Sequence, residues 1–317
     1  MRTVTLLVAV LAALAACGAR ADRPGDPAPP PSGAPEIHDA WTSCRQEVDP
    51  NAFEPTIVLS LPRLPAGFEP AELVVCSSGL QERPDGGEDF VLRERRGRDV
   101  AAVTAALRLP SAPLTDNPCT ADLPGIAWFA VLDAAGHWLR PGVAADACGK
   151  IRFEARTAVE HAQLTVVATT VLGESRSASS AASGCPMGYG NMVAAETAGG
   201  RLPGAEPDAP TGEMRVCLYT VAPAEQAGDK PAGRFERGGQ ISAAAWAPLR
   251  TKLLAAGPPA PCTANAGRFA LIRRADDNLG AVYFELDGCH RLLFETASGS
   301  AVRQGTPALA AELERAV

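Results

Sequence analysis

Pro118-Cys119-Thr120-Ala121 and Pro261-Cys262-Thr263-Ala264 are the same four residues in the same order, 143 positions apart. Each is the third member of a cysteine quartet: Cys44, Cys76, Cys119 and Cys148, then Cys185, Cys217, Cys262 and Cys289. The intervals match: 32 and 32, then 43 and 45, then 29 and 27. Other residues repeat at an offset of 141, as the first, second and fourth cysteines do, with Val75-Cys76 against Val216-Cys217 and Arg96-Gly97 against Arg237-Gly238. Ile151, Phe153 and Glu154 align in the same way with Leu292, Phe294 and Glu295. Such self-similarity implies an internal duplication, one supersecondary unit used twice.

Each copy reads in the same order. A β-like segment carries the second cysteine (71–76; 214–221) and an alanine-rich helix follows (100–107; 241–254), with Pro248 expected to interrupt or kink the second helix. After the Pro-Cys-Thr turn an apolar strand (126–132; 268–273) leads through a Gly- or Asn-containing turn to the fourth cysteine, and a last strand follows (150–155; 291–296). The expected class is α+β: two tandem homologous domains, each an antiparallel sheet with one packed helix and two disulfides. Residues 36–172 form the first domain and 185–317 the second. The small polar stretch 173–184 between them reads as a linker.

Four cysteines allow three pairings per domain. First with second and third with fourth is preferred, because the third and fourth bracket the proposed hairpin. Loops of this length make each bridge worth roughly 3 to 4 kcal/mol in the chain-entropy description. That matters in a chain with 46% hydrophobic but only 5% aromatic residues, whose cores are correspondingly modest.

Nine cysteines leave one outside the quartets, Cys17. It ends an uncharged apolar run, Val4 to Ala16, that follows Met1-Arg2-Thr3. The run is too short to span a bilayer and has the layout of a secretory signal, residues 1–16. Leu14-Ala15-Ala16-Cys17 resembles the lipobox of bacterial lipoproteins, which implies that Cys17 is diacylated and becomes the first mature residue. Ala19-Arg20-Ala21 offers a competing site for ordinary signal cleavage. Residues 17–35 then form a Pro/Ala-rich tether with nothing for a core to bury. The expected location is the outer face of the cell membrane, held by the lipid; an even cysteine count in an exported chain fits a disulfide framework.

The formal charge of −7 becomes −8 when Arg2 leaves with the signal, a poor balance for a nucleic-acid partner. The densest basic run, Arg93-Glu94-Arg95-Arg96-Gly97-Arg98, carries an acid and reads as a solvated loop. His38, His137, His161 and His290 occupy no common position in the two copies, which argues against a duplicated active site. The chain lacks CxxC, HExxH, GxSxG and P-loop motifs, so neither a catalytic set, a metal site nor a cofactor is assigned. Asp85-Gly86-Gly87-Glu88-Asp89 and Asp276-Asp277-Asn278 do not match calcium-loop spacing and read as turns.

As a whole the pattern resembles secreted and lipid-anchored proteins of actinobacterial type, with a lipobox, a Pro/Ala tether and domains built on a Val-Cys-x-Tyr strand and a Pro-Cys-Thr turn. Val216-Cys217-Leu218-Tyr219 carries the strand motif; Val75-Cys76-Ser77-Ser78 lacks the aromatic. That resemblance implies architecture and carries no activity. The functional expectation is a non-enzymatic surface module binding a protein, a wall polymer or a small ligand. Two alternatives stand beside it. One is a protease inhibitor similar to the subtilisin inhibitors, although the segments after Cys119 and Cys262 do not resemble an exposed reactive loop. The other is an envelope hydrolase with His137 or His290 in an acidic pocket.

Overall fold

The computed structural model describes residues 33–49, 56–198, 205–276, 280–296 and 299–317. The signal, Cys17 and most of the tether lie outside them, as do Asp277 and Asn278. The fold is α+β with antiparallel sheets and four disulfides. It divides into two compact units: one holds the chain up to Ser78 together with Leu92–Thr170, the other Gly79–Val91 with Val171–Val317.

The first unit opens with a short helix, α1 (Cys44–Glu47). Strands β1 (Glu72–Glu82) and β2 (Glu88–Gly97) precede helix α2 (Ala101–Leu107). Then come β3 (Trp128–Leu132), β4 (Trp138–Leu139), helix α3 (Phe153–Glu160) and β5 (Thr165–Arg176). The sheet runs β4-β3-β1-β2-β5; residues 79–82 of β1, 88–91 of β2 and 171–176 of β5 belong to the second unit. β1 pairs antiparallel with β3, placing Val75 opposite Phe129 and Cys76 opposite Trp128. Leu73 to Cys76 are all buried, so this strand is covered on both faces and its sequence reads as an apolar run instead of an alternation. Leu73, Val75, Phe129 and Val131 pack with Val103 and Leu107 of α2 and with Ala155 and Val159 of α3.

The second unit continues with α4 (Ala178–Ser183), β6 (Gly188–Gly190), α5 (Met192–Thr197), β7 (Met214–Val221), β8 (Ala232–Ile241) and α6 (Ala243–Leu254). It ends with β9 (Arg268–Arg274), β10 (Ala281–Glu285), β11 (Arg291–Thr296), β12 (Gly299–Gln304) and α7 (Pro307–Arg315). The seven-stranded sheet runs β12-β11-β10-β9-β7-β8-β6. Alternation along β7 sends Met214, Val216 and Leu218 into one core with Trp246 of α6 and Leu313 of α7. Cys217, Tyr219 and Val221 enter a second core on the opposite face, with Cys185 and Val193.

Several expectations are corrected. Residues 173–184 are not an unstructured linker: β5 runs to Arg176 and α4 follows, because Ser177 caps its N-terminus through Ser180 N–H and Gly184 closes it at φ 71°. Residues 153–160 form a helix instead of a strand, since Ala155 and Val159 recur at helical spacing and both are buried. The alignment with 294–295 fails there: Phe153 is 65% exposed, whereas Phe294 is fully buried in β11. Helix α6 runs through Pro248, because burial of Trp246, Leu249 and Leu253 outweighs the one lost backbone donor. The stretch 93–97 is strand β2, not a loop. Nor is the cover a single helix: α2 packs with α3, and α6 with α7.

The disulfides join Cys44 to Cys76, Cys119 to Cys148, Cys185 to Cys217 and Cys262 to Cys289, with Cα separations of 5.6, 5.9, 5.7 and 5.8 Å. Cys44, Cys76, Cys185 and Cys217 are buried; Cys119, Cys148 and Cys262 are exposed. Mild reduction of the native protein with trapping of thiols is therefore expected to label Cys119 and Cys148 first. Cys44, Cys76, Cys185 and Cys217 should stay protected until the chain unfolds, and simultaneous labelling of all eight would contradict this ordering.

A tryptophan cluster as candidate functional site

Three of the four tryptophans, far apart in the chain, meet on the first unit beside the buried disulfide Cys44–Cys76. Trp128 begins β3 and Trp138 begins β4, so the β3–β4 hairpin sets them on neighbouring strands. Trp41 precedes α1. Ring centroids lie 5.0 Å apart for Trp41 and Trp138, 5.7 Å for Trp41 and Trp128, and 6.4 Å for Trp128 and Trp138. His38 stacks on Trp138 at 4.2 Å, and their backbones exchange two hydrogen bonds of 2.8 and 2.9 Å. The Arg140 guanidinium sits 5.2 Å over the Trp128 ring.

Glu94 organises this group. It is 4% exposed, on β2, and it ties the segment at α1 to that strand, with a third donor from its own strand. Trp41 Nε1 donates at 3.1 Å and the Cys44 backbone N–H, at the start of α1, donates at 2.8 Å. Arg96 Nε donates at 2.8 Å and neutralises the carboxylate. A buried carboxylate is tolerated only when so fully satisfied. Trp138 Nε1 is likewise committed, to Ala40 O at 3.0 Å. Among the described residues Trp128 Nε1 has no acceptor, and Trp41 and Trp128 are only half-buried.

The remaining histidines are placed separately. His137 closes the β3–β4 turn: its Nδ1 lies 2.9 Å from Asp133 Oδ2, while Asp133 Oδ1 accepts from the Ala135 and His137 backbone N–H groups. The Asp133 hydrogen bond holds the imidazole above its ordinary value, and the same bond holds the Asp133 carboxyl below its own. His161 caps α3 on the surface. His290, half-buried, takes a left-handed conformation at φ 53° beside Cys289. Asp85 closes the β1–β2 hairpin, accepting from Gly87 N–H and from Arg83. No group of three or more His, Cys, Asp or Glu among the described residues is arranged to hold a metal, and no helix among them is long and apolar enough to cross a membrane.

Two further features belong to single units. In the first, residues 116–123 are exposed throughout, and Leu123 is 71% exposed. The loop is nonetheless held, by Cys119–Cys148 and by Lys150 Nζ, which donates to Thr120 O at 2.6 Å and to Asp122 Oδ1 at 2.7 Å. The Lys150 contact pushes the Asp122 carboxyl down to about 2. The second unit has a cavity of about 330 Å³ lined by Glu88, Ser175, Arg176, Cys185, Pro186 and Met187; it contains neither His137 nor His290. Elsewhere in that unit Arg291 makes a two-pronged pair with fully buried Glu285, and Arg273 lies 5.0 Å over Tyr189. Burial pushes the Tyr219 and Tyr283 phenols above their ordinary range.

No family model, curated protein or solved structure matches this chain.

Glu94→Gln removes the charge that Arg96 faces and one acceptor from the Trp41 and Cys44 N–H donors. It is expected to lower unfolding free energy by roughly 2 kcal/mol and to shift tryptophan emission, read by denaturant titration; a change under about 0.5 kcal/mol would remove the organising role. His137 is expected to titrate above its ordinary value in an NMR pH series, and Asp133→Asn to bring it back. The His137 contribution is present below its unfolded value and lost as pH rises through the raised one. The Asp133 contribution is present above its unfolded value and lost as pH falls through the lowered one. The turn is therefore tightest between the ordinary carboxylate and imidazole values.

Proposed function

We propose that this chain is an exported, lipid-anchored binding module built from a duplicated disulfide domain, and that it engages an extracytoplasmic ligand through the tryptophan cluster of its first unit. The observation that carries the reading is that cluster: three large aromatic rings in mutual contact, one of them tied to a fully satisfied carboxylate, with two rings half-buried and one indole donor left over. Rigid amphipathic rings supply contact area at little entropic cost, which is why binding surfaces use them. Four disulfides are compatible with an extracytoplasmic location. The lipobox at Cys17 supplies the anchor and residues 17–35 the spacer. Support for duplication comes from the shared disulfide pairing and the shared order of hairpin, helix, cysteine loop and hairpin (β1-β2-α2-β3-β4; β7-β8-α6-β9-β10).

A second reading, protease inhibition, is favoured by one observation that the sequence did not suggest. Residues 116–123 form an exposed loop fastened at both a disulfide and a lysine, and preorganisation of that kind is what makes an extended segment bind tightly.

The two readings separate in one set of measurements on the mature, oxidised chain. Intact mass should show a chain beginning at acylated Cys17. Isolated cell-wall material should sediment the protein, and Trp41→Ala should abolish this. A chain that stays in the supernatant and blocks subtilisin at nanomolar concentration would replace the first reading with the second.

A further inference from the structure

A sheet ends in strands whose outer N–H and C=O groups are unpaired, and a long, uncharged edge is a template for another strand. The protein guards three of the four edges of its two sheets. β4, two residues long, is covered by the His38 segment: His38 N–H donates to Trp138 O at 2.8 Å, and Trp138 N–H donates to His38 O at 2.9 Å. β12 is met by two other segments, with Gln304 N–H donating to Gly257 O at 2.8 Å and Ala205 N–H to Ser300 O at 3.1 Å. β6 has only three residues. β5 is the exception, an edge strand of twelve residues; among the described residues, no backbone hydrogen bond reaches 165–173 from outside its sheet. That stretch, Thr165-Val166-Val167-Ala168-Thr169-Thr170-Val171-Leu172-Gly173, has no charge and no proline, the residues that blunt a free edge. Val166, Val167 and Val171 are each more than half exposed.

We infer that β5 pairs antiparallel with β5 of a second copy of this chain, about a twofold axis at Thr169. The sequence points to this occupant because the strand is its own complement. With Thr169 opposite its counterpart, Val167 faces Val171, Val166 faces Leu172, Ala168 faces Thr170 and Thr165 faces Gly173. Aliphatic side chains then meet on both faces of the joined sheet, and no charge lies in the paired stretch. Moving the axis to Thr170 sets Val166 against Glu174 and Val167 against Gly173; moving it to Ala168 sets the same two valines against Thr170 and Thr169. Either shift loses both apolar pairs, so the pattern selects one register. A foreign strand would have to reproduce this order, whereas a copy supplies it by symmetry. Association stops at two copies, because β4 at the opposite edge of the sheet is already covered. The inference does not depend on the tryptophan cluster.

The test uses the full mature chain in excess detergent, which keeps acyl chains from gathering copies. Sedimentation equilibrium in density-matched detergent should return twice the mass of the chain. Val167→Lys and Val171→Lys each put a cation into the paired stretch of both copies and should weaken association by about tenfold or more. Both positions are exposed, so melting curves of the variants should stay in place. Thr169→Cys sets two thiols against each other and should give a covalent dimer on mild oxidation. Val166→Cys carries the same extra thiol, but its copy lies across from residue 172, about 20 Å along the strands, and should not crosslink. A chain that stays monomeric overturns the inference. So does a dimer that survives either lysine substitution, an assembly beyond two copies, or equal crosslinking of the two cysteine variants. A monomer that instead binds a different protein, with loss of that binding in Val167→Lys, also overturns it, since the edge then serves another occupant.

Discussion

Both units depend on a central strand that is buried on its two faces by very different partners. One face of β1 meets helices and large aliphatic side chains; the other meets a thin stretch of chain held in place by a disulfide. β7 repeats the arrangement, with Cys185 supplying the clasp. A segment such as 33–49 has little regular structure with which to hold itself down, so ordering it costs conformational entropy that few contacts return. A covalent link of 32 residues shifts that cost to the unfolded chain by roughly 3 to 4 kcal/mol, a large fraction of the 5 to 15 kcal/mol typical of a whole domain. The inner disulfides thus allow a strand to be enclosed in a chain that has few aromatic residues to enclose it with.

What fills the clasped face differs between the units. In the first, three tryptophans and a histidine gather around Glu94, with part of their surface open to solvent. In the second, tyrosine and phenylalanine occupy the comparable layer: Tyr219 stacks on Phe269 at 5.1 Å, and Tyr189 closes against Arg273. That layer includes Tyr219, Tyr283 and Phe269, all fully buried, and its polar atoms are spent on one another, as in Tyr283 to Glu295. The same clasp therefore supports an open aromatic surface in one place and a closed aromatic core in the other.

The parts of this structure that were legible in the sequence are those with local signals. The apolar runs ending at Cys76 and beginning at Met214 declare strands, and alanine-rich stretches between a strand and a Pro-Cys turn declare α2 and α6. Helix α4 was hidden because its alanines and serines resemble linker composition, although Ser177 and Gly184 stand where an N-cap and a C-terminal glycine belong. Helix α3 is masked by Ile151 and Phe153, which alternate as in a strand, whereas the decisive pair is Ala155 and Val159. The aromatic cluster could not be read from spacing at all. Trp41, Trp128 and Trp138 meet through strand pairing and a disulfide, and Glu94, which ties Trp41 and Cys44 to β2, stands within a run that reads as charged surface. The spacing within that run does contain the clue: in a strand, Glu94 and Arg96 share a face, and an acid beside a basic residue on one face makes a neutralised pair.

The outer disulfides have a different consequence. Cys119–Cys148 and Cys262–Cys289 close loops whose cysteines stand 29 and 27 residues apart, and the segments after Cys119 and Cys262 run along the surface. Because a clip at the rim fixes only where such a loop begins and ends, its interior can lengthen, shorten or change character without disturbing the strands beneath. The scaffold in this way separates the residues that make it fold from those it is free to vary, and it carries two such exchangeable rims in one polypeptide.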